Sequence, residues 1–487
     1  MNTDKAECGH LAELSARLGE QLDGYLSFRH PDAMQQADTW RQALELPVPE
    51  NGVGVDAVLA ELGQWVIPNG SPIPNPGCTA FITTGATTIG ALATLAGSVA
   101  APQRIGLTAF NFLEELSLDW MARMFGLPKG MKGLYSSGGS VANLVALGAA
   151  RQSAFERLGI DPAREGVCRP CRLYASVECH HSVQRAAAVL GLGRQSVCKI
   201  ETDAGGRMST TALRRQLMAD QGENRVPIAV VANAGSTNRG AIDPLREIGE
   251  TARAYSLWFH VDGAYGLPGI LDPRVQPLYD GLELADSVIV DPHKWLGAPV
   301  GIGATYVKDR ELLNRAFTQE AATYLEGSCT TEGVAHSMDN LGIPYADMGV
   351  ELSAPSRGAV VWALIREIGI AGLRERICRH NSLARHVAER AEAHPNLDVV
   401  SEPTLSICGI RYLSERWNDL NELNRRIHRR MVQRGRSIPS TTVVNGALAI
   451  RPCFVGARTT LKEADELVDE MLAVGQEVAR MNEEAAG

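Results

Sequence analysis

From about residue 105 onward, short apolar runs of strand length alternate with helix-patterned segments. Arg172 to Val177, Ile228 to Asn233, Leu257 to Val261 and Ser287 to Val290 are apolar and bounded by polar residues or glycine. Ser209 to Asp220 and Asp243 to Ala254, lying between them, carry a helical repeat. A strand that is apolar throughout has to be covered on both faces, so this pattern predicts an α/β fold with a mostly parallel sheet. Upstream, residues 1 to about 60 read as amphipathic helix, with Leu11, Leu14, Leu18, Leu22 and Leu26 at three- and four-residue spacing. Downstream of Arg357, a helix pattern over Gly358 to Ile370 leads into a tail. There, strands are expected at Leu405 to Tyr412 and Ala447 to Pro452 and helices at Asn418 to Arg434 and Leu461 to Met481, a smaller α+β unit.

Charge and cysteine usage exclude several classes. The 487 residues carry 47 basic and 56 acidic side chains, a net charge of −9, which argues against a nucleic-acid partner, because phosphate neutralisation needs a clustered basic surface. The one dense basic run, Arg425 to Arg436, reads as a solvated helix face. Ten scattered cysteines and a charge-mixed N-terminus predict a reduced, cytoplasmic protein. Within the uncharged stretch Leu62 to Gln103, Cys78 to Ala101 is long enough to span a bilayer. Its threonines and glycines, preceded by Pro72, Pro74 and Pro76, favour burial in a subunit interface or beside an active site instead, so no membrane partner is expected.

Four local patterns fall where strands end or helices begin, the place at which α/β folds collect ligands. Tyr135-Ser136-Ser137-Gly138-Gly139-Ser140 leads into a helix pattern over Val141 to Arg151, and such a junction offers free backbone N–H groups to a phosphate. Cys179-His180-His181-Ser182 places a histidine that could act as ligand, base or flat stacking ring. The nearby Cys168 and Cys171 form one cysteine pair without a second, which is poor grounds for zinc, and no metal is expected. In Trp258-Phe259-His260-Val261-Asp262-Gly263-Ala264-Tyr265, Asp262 closes an apolar strand and would need a cationic partner: a protonated pyridine nitrogen, a metal or an arginine. In Asp291-Pro292-His293-Lys294-Trp295, Lys294 is one of only seven lysines in the chain. A lysine in apolar surroundings is a competent nucleophile for Schiff-base formation. A phosphate cradle, a stacking histidine, a buried aspartate and a Schiff-base lysine together match the needs of pyridoxal phosphate.

These motifs, HVDGAY and DPHKW above all, resemble those of the group II pyridoxal-phosphate-dependent amino-acid decarboxylases, over roughly residues 70 to 460. The resemblance implies a fold-type-I, aminotransferase-like architecture and a homodimer with the active site at the interface. It implies a helical dimerisation segment over 1–88, a large cofactor-binding domain over 89–365 and a small C-terminal domain over 366–487. It also assigns roles. Lys294 matches the cofactor lysine, Asp262 the partner of the pyridine nitrogen, His180 the stacking histidine and Ala264 the small residue on the other ring face. Gly139, Ser140 and His293 fall at phosphate-binding positions, and Thr237 lies near the cofactor.

The resemblance implies further that a tyrosine on a loop over Glu326 to Ser356 protonates the substrate carbanion. Alignment through Asp347-Met348-Gly349 and Arg357 puts Tyr345 there, whereas ungapped alignment from Thr323 puts Met338, with His336 nearby. Without a proton donor, oxygen can intercept the carbanion and give an aldehyde, so oxidative deamination stays open beside decarboxylation, as does another fold-type-I reaction. Phe81, Ile82, Thr83 and Thr84 align with the substrate pocket. Phe81 and Ile82 suit an L-amino acid with an aromatic or large apolar side chain better than glutamate.

Overall fold

A computed structural model describes residues 11–28, 37–104, 108–318 and 343–484. Its centre is a seven-stranded sheet of order β2-β8-β7-β6-β5-β3-β4. These strands are β2 (Lys132–Ser136), β3 (Cys171–Ser176), β4 (Val197–Ile200), β5 (Val226–Asn233), β6 (Trp258–Asp262), β7 (Ser287–Val290) and β8 (Gly303–Val307). Pairing is parallel from β7 through β6, β5 and β3 to β4, and β8 alone runs against its neighbours β7 and β2. The mostly parallel sheet is thus as expected. The expected strands correspond to β3, β5, β6 and β7, while β2, β4 and β8 were not anticipated. β4 fooled the pattern because it is short and half polar, with Cys198 and Lys199 partly or fully exposed.

Helices cover both faces. The alanine-rich helix Gly139–Glu156 buries Ala142 and Ala146 in one cluster with Ala264 and Ile289, and its small side chains bring its axis close to the middle of the sheet. Ser209 caps Thr210–Asp220 by accepting from the Ala212 N–H, and Thr87 caps Thr88–Ala100 by accepting from Gly90. The segment weighed as a bilayer span is therefore β1 (Cys78–Thr79) plus this 13-residue helix. No helix among the described residues is long and apolar enough to cross a membrane.

Beyond the loop, helix runs from Arg357 to Glu392, much further than Gly358 to Ile370, in two stretches meeting at Gly369, where φ is +64°. Its first half packs on the helices Thr88–Ala100 and Ala109–Met124. Leu373 and Ile377 still belong to the core of the large sheet, whereas Leu383 and Val387 belong to a second core with Ile410, Ile427 and Met471. That second core backs a five-stranded sheet of order β1-β11-β12-β10-β9, built from β9 (Leu397–Ser401), β10 (Gly409–Tyr412), β11 (Ile438–Val444) and β12 (Ala447–Arg451). β11 was missed because most of its residues are half or fully exposed, with no regular alternation of burial, and the expected strand from Leu405 begins only at Gly409. The basic run lies on the helix Leu420–Arg434, where Arg425 and Arg426 pair with Glu422 and Arg430 and Arg434 pair with Glu477. The N-terminal helix Leu11–Leu26 forms as expected but buries no residue in the single chain.

Candidate active site

The carboxyl ends of β2, β3, β5, β6 and β7 open on one pocket, lined among others by Gly139, Ser140, His180, Thr237, Asp262, Ala264, His293 and Lys294. Four motifs spread over 160 residues of chain therefore converge, because parallel strands point the loops that follow them to one edge of the sheet.

At the end of β2, Gly138 has φ +109° and precedes the helix Gly139–Glu156, so the chain turns sharply and presents its first N–H groups to the pocket. A Cβ at Gly139 would lie 2.5 Å from Asp291 Oδ2, so only glycine fits there. His293 Nδ1 donates to the Ile302 carbonyl at 2.7 Å, which leaves its other nitrogen unprotonated in the neutral ring.

At the end of β6, Asp262 is buried. Its Oδ1 accepts from the Ala264 N–H at 3.1 Å and its Oδ2 from Asn143 Nδ2 at 2.9 Å. Among the described residues no lysine or arginine pairs with it. A buried carboxylate that faces the pocket without an ion-pair partner suits a protonated ring nitrogen, and the free N–H groups and glycine cradle across the pocket suit a phosphate, so the residues present fit pyridoxal phosphate.

Lys294 follows β7. Its Nζ lies 3.2 Å from Asp291 Oδ2, and the other oxygen of that buried carboxylate has no partner. Burial pushes the Asp291 carboxyl above the usual range despite Lys294 and His293 beside it. His180 sits after β3, and burial holds its ring down to about 4, with Asp262 opposing the shift.

Asn143, Ser182, His260, Asn233 and Asp291 were not singled out from the sequence. Asn143 and Ser182 line the pocket and tie Asp262 to His180, and His260 lies two residues before Asp262 on the same strand face. That two-residue spacing within HVD was the available signal. No cluster of three or more His, Cys, Asp or Glu side chains among the described residues could hold a metal. Cys168 is exposed and Cys171 buried, both unpaired.

Tyr345 does not line this pocket in the single chain. Tyr345 is buried, its hydroxyl donates to Glu115 Oε2 at 2.7 Å, and its carbonyl accepts from Arg104. Arg104 and Arg310 lie over its ring, and Glu115, on the helix Ala109–Met124, takes its hydroxyl. His336 and Met338 lie outside the described residues. Phe81, Ile82, Thr83 and Thr84 do not line the pocket of the single chain either. Phe81 is exposed, and Thr84 is buried, its hydroxyl bonded to the Gly85 carbonyl and the Ala457 N–H. They sit close to its rim, because Arg451 donates both to the Ala80 carbonyl at 3.4 Å and to the Thr237 carbonyl at 2.5 Å.

Residues 38–412 match the family described as the pyridoxal-dependent decarboxylase conserved domain. The chain is 31% identical over 449 residues to an aromatic-L-amino-acid decarboxylase of Bacillus atrophaeus, covering 91% of this chain and 90% of that one. It is 27% identical over 447 residues to a 4-hydroxyphenylacetaldehyde synthase of Rhodiola rosea, covering 89% and 86%. The crystal structure of mouse CSAD superposes with a TM-score of 0.83 at 25% identity, over 96% of this chain and 99% of that chain. The fold, the cofactor pocket and these likenesses agree: the chain belongs to the pyridoxal-dependent decarboxylase family and is a carboxy-lyase of amino acids that uses pyridoxal phosphate.

Proposed function

We propose that this enzyme removes the α-carboxylate of an L-amino acid with an aromatic or large apolar side chain and releases the amine. The observation that carries the site assignment is Asp262, buried without a basic partner in the same pocket as Lys294 and His180. When bound, pyridoxal phosphate supplies an electron-accepting ring. Lys294 would hold its aldehyde carbon, Asp262 would keep a proton on the ring nitrogen, and His180 and Ala264 would flank the ring. Gly139, Ser140 and His293 would hold the phosphate, with Thr237 beside them. His180 would also orient the substrate carboxylate out of the ring plane, where the bond to Cα breaks most easily.

The substrate class rests on the likeness to the Bacillus atrophaeus enzyme and on Phe81 and Ile82 near the pocket rim. We infer a homodimer that completes this site. Phe81, Leu92, Leu95, Val99, Phe112 and Val300 are exposed in the single chain, and an apolar surface of this kind calls for a partner.

One observation favours a second reading. With the Tyr345 hydroxyl held by Glu115, no tyrosine of the loop's described part offers a proton to Cα. Oxygen would then take the electron pair: amino acid, O₂ and water would give aldehyde, CO₂, ammonia and H₂O₂. Incubating the holoenzyme with a panel of L-amino acids in air, and measuring amine, aldehyde and peroxide together, separates the two. Amine without peroxide from an aromatic substrate supports the first reading; aldehyde with equimolar peroxide replaces it with the second.

A further inference from the structure

A buried chain of hydrogen bonds runs behind the pocket, and the chemistry of its ends sets its direction. At one end is Asp262, whose ionised carboxylate can only accept; at the other is the indole of Trp258, which can only donate. Because Asp262 Oδ2 faces Asn143 at 2.9 Å, the Asn143 amide must turn its NH₂ toward it. Its oxygen then faces His260 Nε2 at 2.8 Å, so His260 carries its proton on Nε2. His260 Nδ1 is left to accept from the Ser287 hydroxyl at 2.8 Å, and Ser287 Oγ in turn accepts from Trp258 Nε1 at 2.7 Å. Every donor in this line meets an acceptor. His260 is fully buried, and burial holds its ring down to about 4, which agrees with a neutral imidazole.

A branch leaves the same amide. The second hydrogen of Asn143 Nδ2 points at Ser182 Oγ, 2.9 Å away, so the Ser182 hydroxyl has its own proton to give, and His180 Nδ1 lies 2.7 Å from it. The Ser182 backbone N–H also approaches Nδ1, at 3.2 Å. Both groups make Nδ1 an acceptor, and the single proton of a neutral His180 ring falls to Nε2.

We propose that Asn143 and Ser182 are positioning residues that lock His180 as the neutral Nε2–H tautomer, so that it offers the pocket one uncharged hydrogen-bond donor. The inference rests on the reading that His180 acts on cofactor or substrate. An uncharged donor can hold a substrate carboxylate in place without the ion pair that would stabilise that carboxylate against leaving. The same Asn143 amide orients Asp262, so one side chain sets the hydrogen bonding of the groups assigned to the ring nitrogen and to the substrate carboxylate.

Selective ¹⁵N labelling of the eleven histidines in the holoenzyme, with His180 and His260 assigned through His180→Gln and His260→Gln, reads both tautomers directly at neutral pH. The expected result is Nε2–H at both. In Asn143→Asp, which keeps the shape but can only accept from Ser182, the Ser182 hydroxyl turns round and the His180 proton moves to Nδ1 or the ring becomes cationic. Ser182→Ala, which adds no charge, lowers kcat about tenfold, the worth of one hydrogen bond, with the cofactor absorbance retained, and Ser182→Thr restores it. A wild-type His180 with its proton on Nδ1, or a pattern unmoved by Asn143→Asp, overturns the proposal. Full activity in His180→Gln alongside the expected tautomers would leave the relay standing and remove only the role assigned to His180.

Discussion

Lys294 Nζ rests 3.2 Å from Asp291 Oδ2, at the mouth of β7 and three residues along the chain from it. The pair places the only lysine among the described residues that lines the pocket beside a carboxylate that burial disfavours as an anion. Lys294→Ala is expected to abolish turnover and the cofactor's visible absorbance band on reconstitution with pyridoxal phosphate. Retention of that band in the variant would defeat the assignment of Lys294.

Gly139 is where the phosphate cradle touches that same carboxylate. Gly139→Ala puts a methyl 2.5 Å from Asp291 Oδ2, and overpacking of this kind costs about 1–3 kcal/mol. Cofactor affinity should fall about tenfold or more, measured by titrating the apoenzyme with pyridoxal phosphate. An unchanged Kd would mean that the cradle can open.

Tyr345→Phe removes the hydroxyl bonded to Glu115. Loss of a hydrogen bond to a charged group costs about 1.5–3 kcal/mol, so Tm should drop. The ratio of amine to aldehyde should stay as in the wild type. A rise in peroxide would instead return Tyr345 to the chemistry.

Glu114 is buried, and desolvation raises its carboxyl to about 7 although Arg104 and Arg357 oppose the shift. A folded-state value above the unfolded 4.5 means that the native chain holds a proton the unfolded chain has released. This contribution to stability is present below about 4.5 and is lost as the pH rises to about 7, up to roughly 3 kcal/mol in all. Glu114→Gln, which mimics the protonated form, should gain on the wild type steadily across that window when Tm values are compared pH by pH. A constant difference would show that Glu114 is ionised throughout.

Leu92 projects exposed from the helix Thr88–Ala100, close in sequence to the exposed Leu95 and Val99. Leu92→Glu should split the inferred dimer, read as halved mass by light scattering, and activity should fall with it. An undiminished mass would place the interface elsewhere.

Residue type and short spacing alone determined much here. Strands apolar on both faces require a covered parallel sheet. The glycine turn, the Asp262 strand end and the Lys294 motif carry their chemistry within a few residues, so the cofactor, and the residues proposed to hold it, could be named before any fold was known. Tertiary structure alone decided what depends on distant partners. Asn143 meets Asp262 across 119 positions, and only that meeting gives the amide a direction and makes Ser182 and His260 part of the site. Tyr345 has the sequence context of a loop tyrosine, yet Glu115, 230 positions earlier, takes its hydroxyl. Hydrogen-bond direction and burial belong to groups assembled in space, and no periodicity along the chain encodes them.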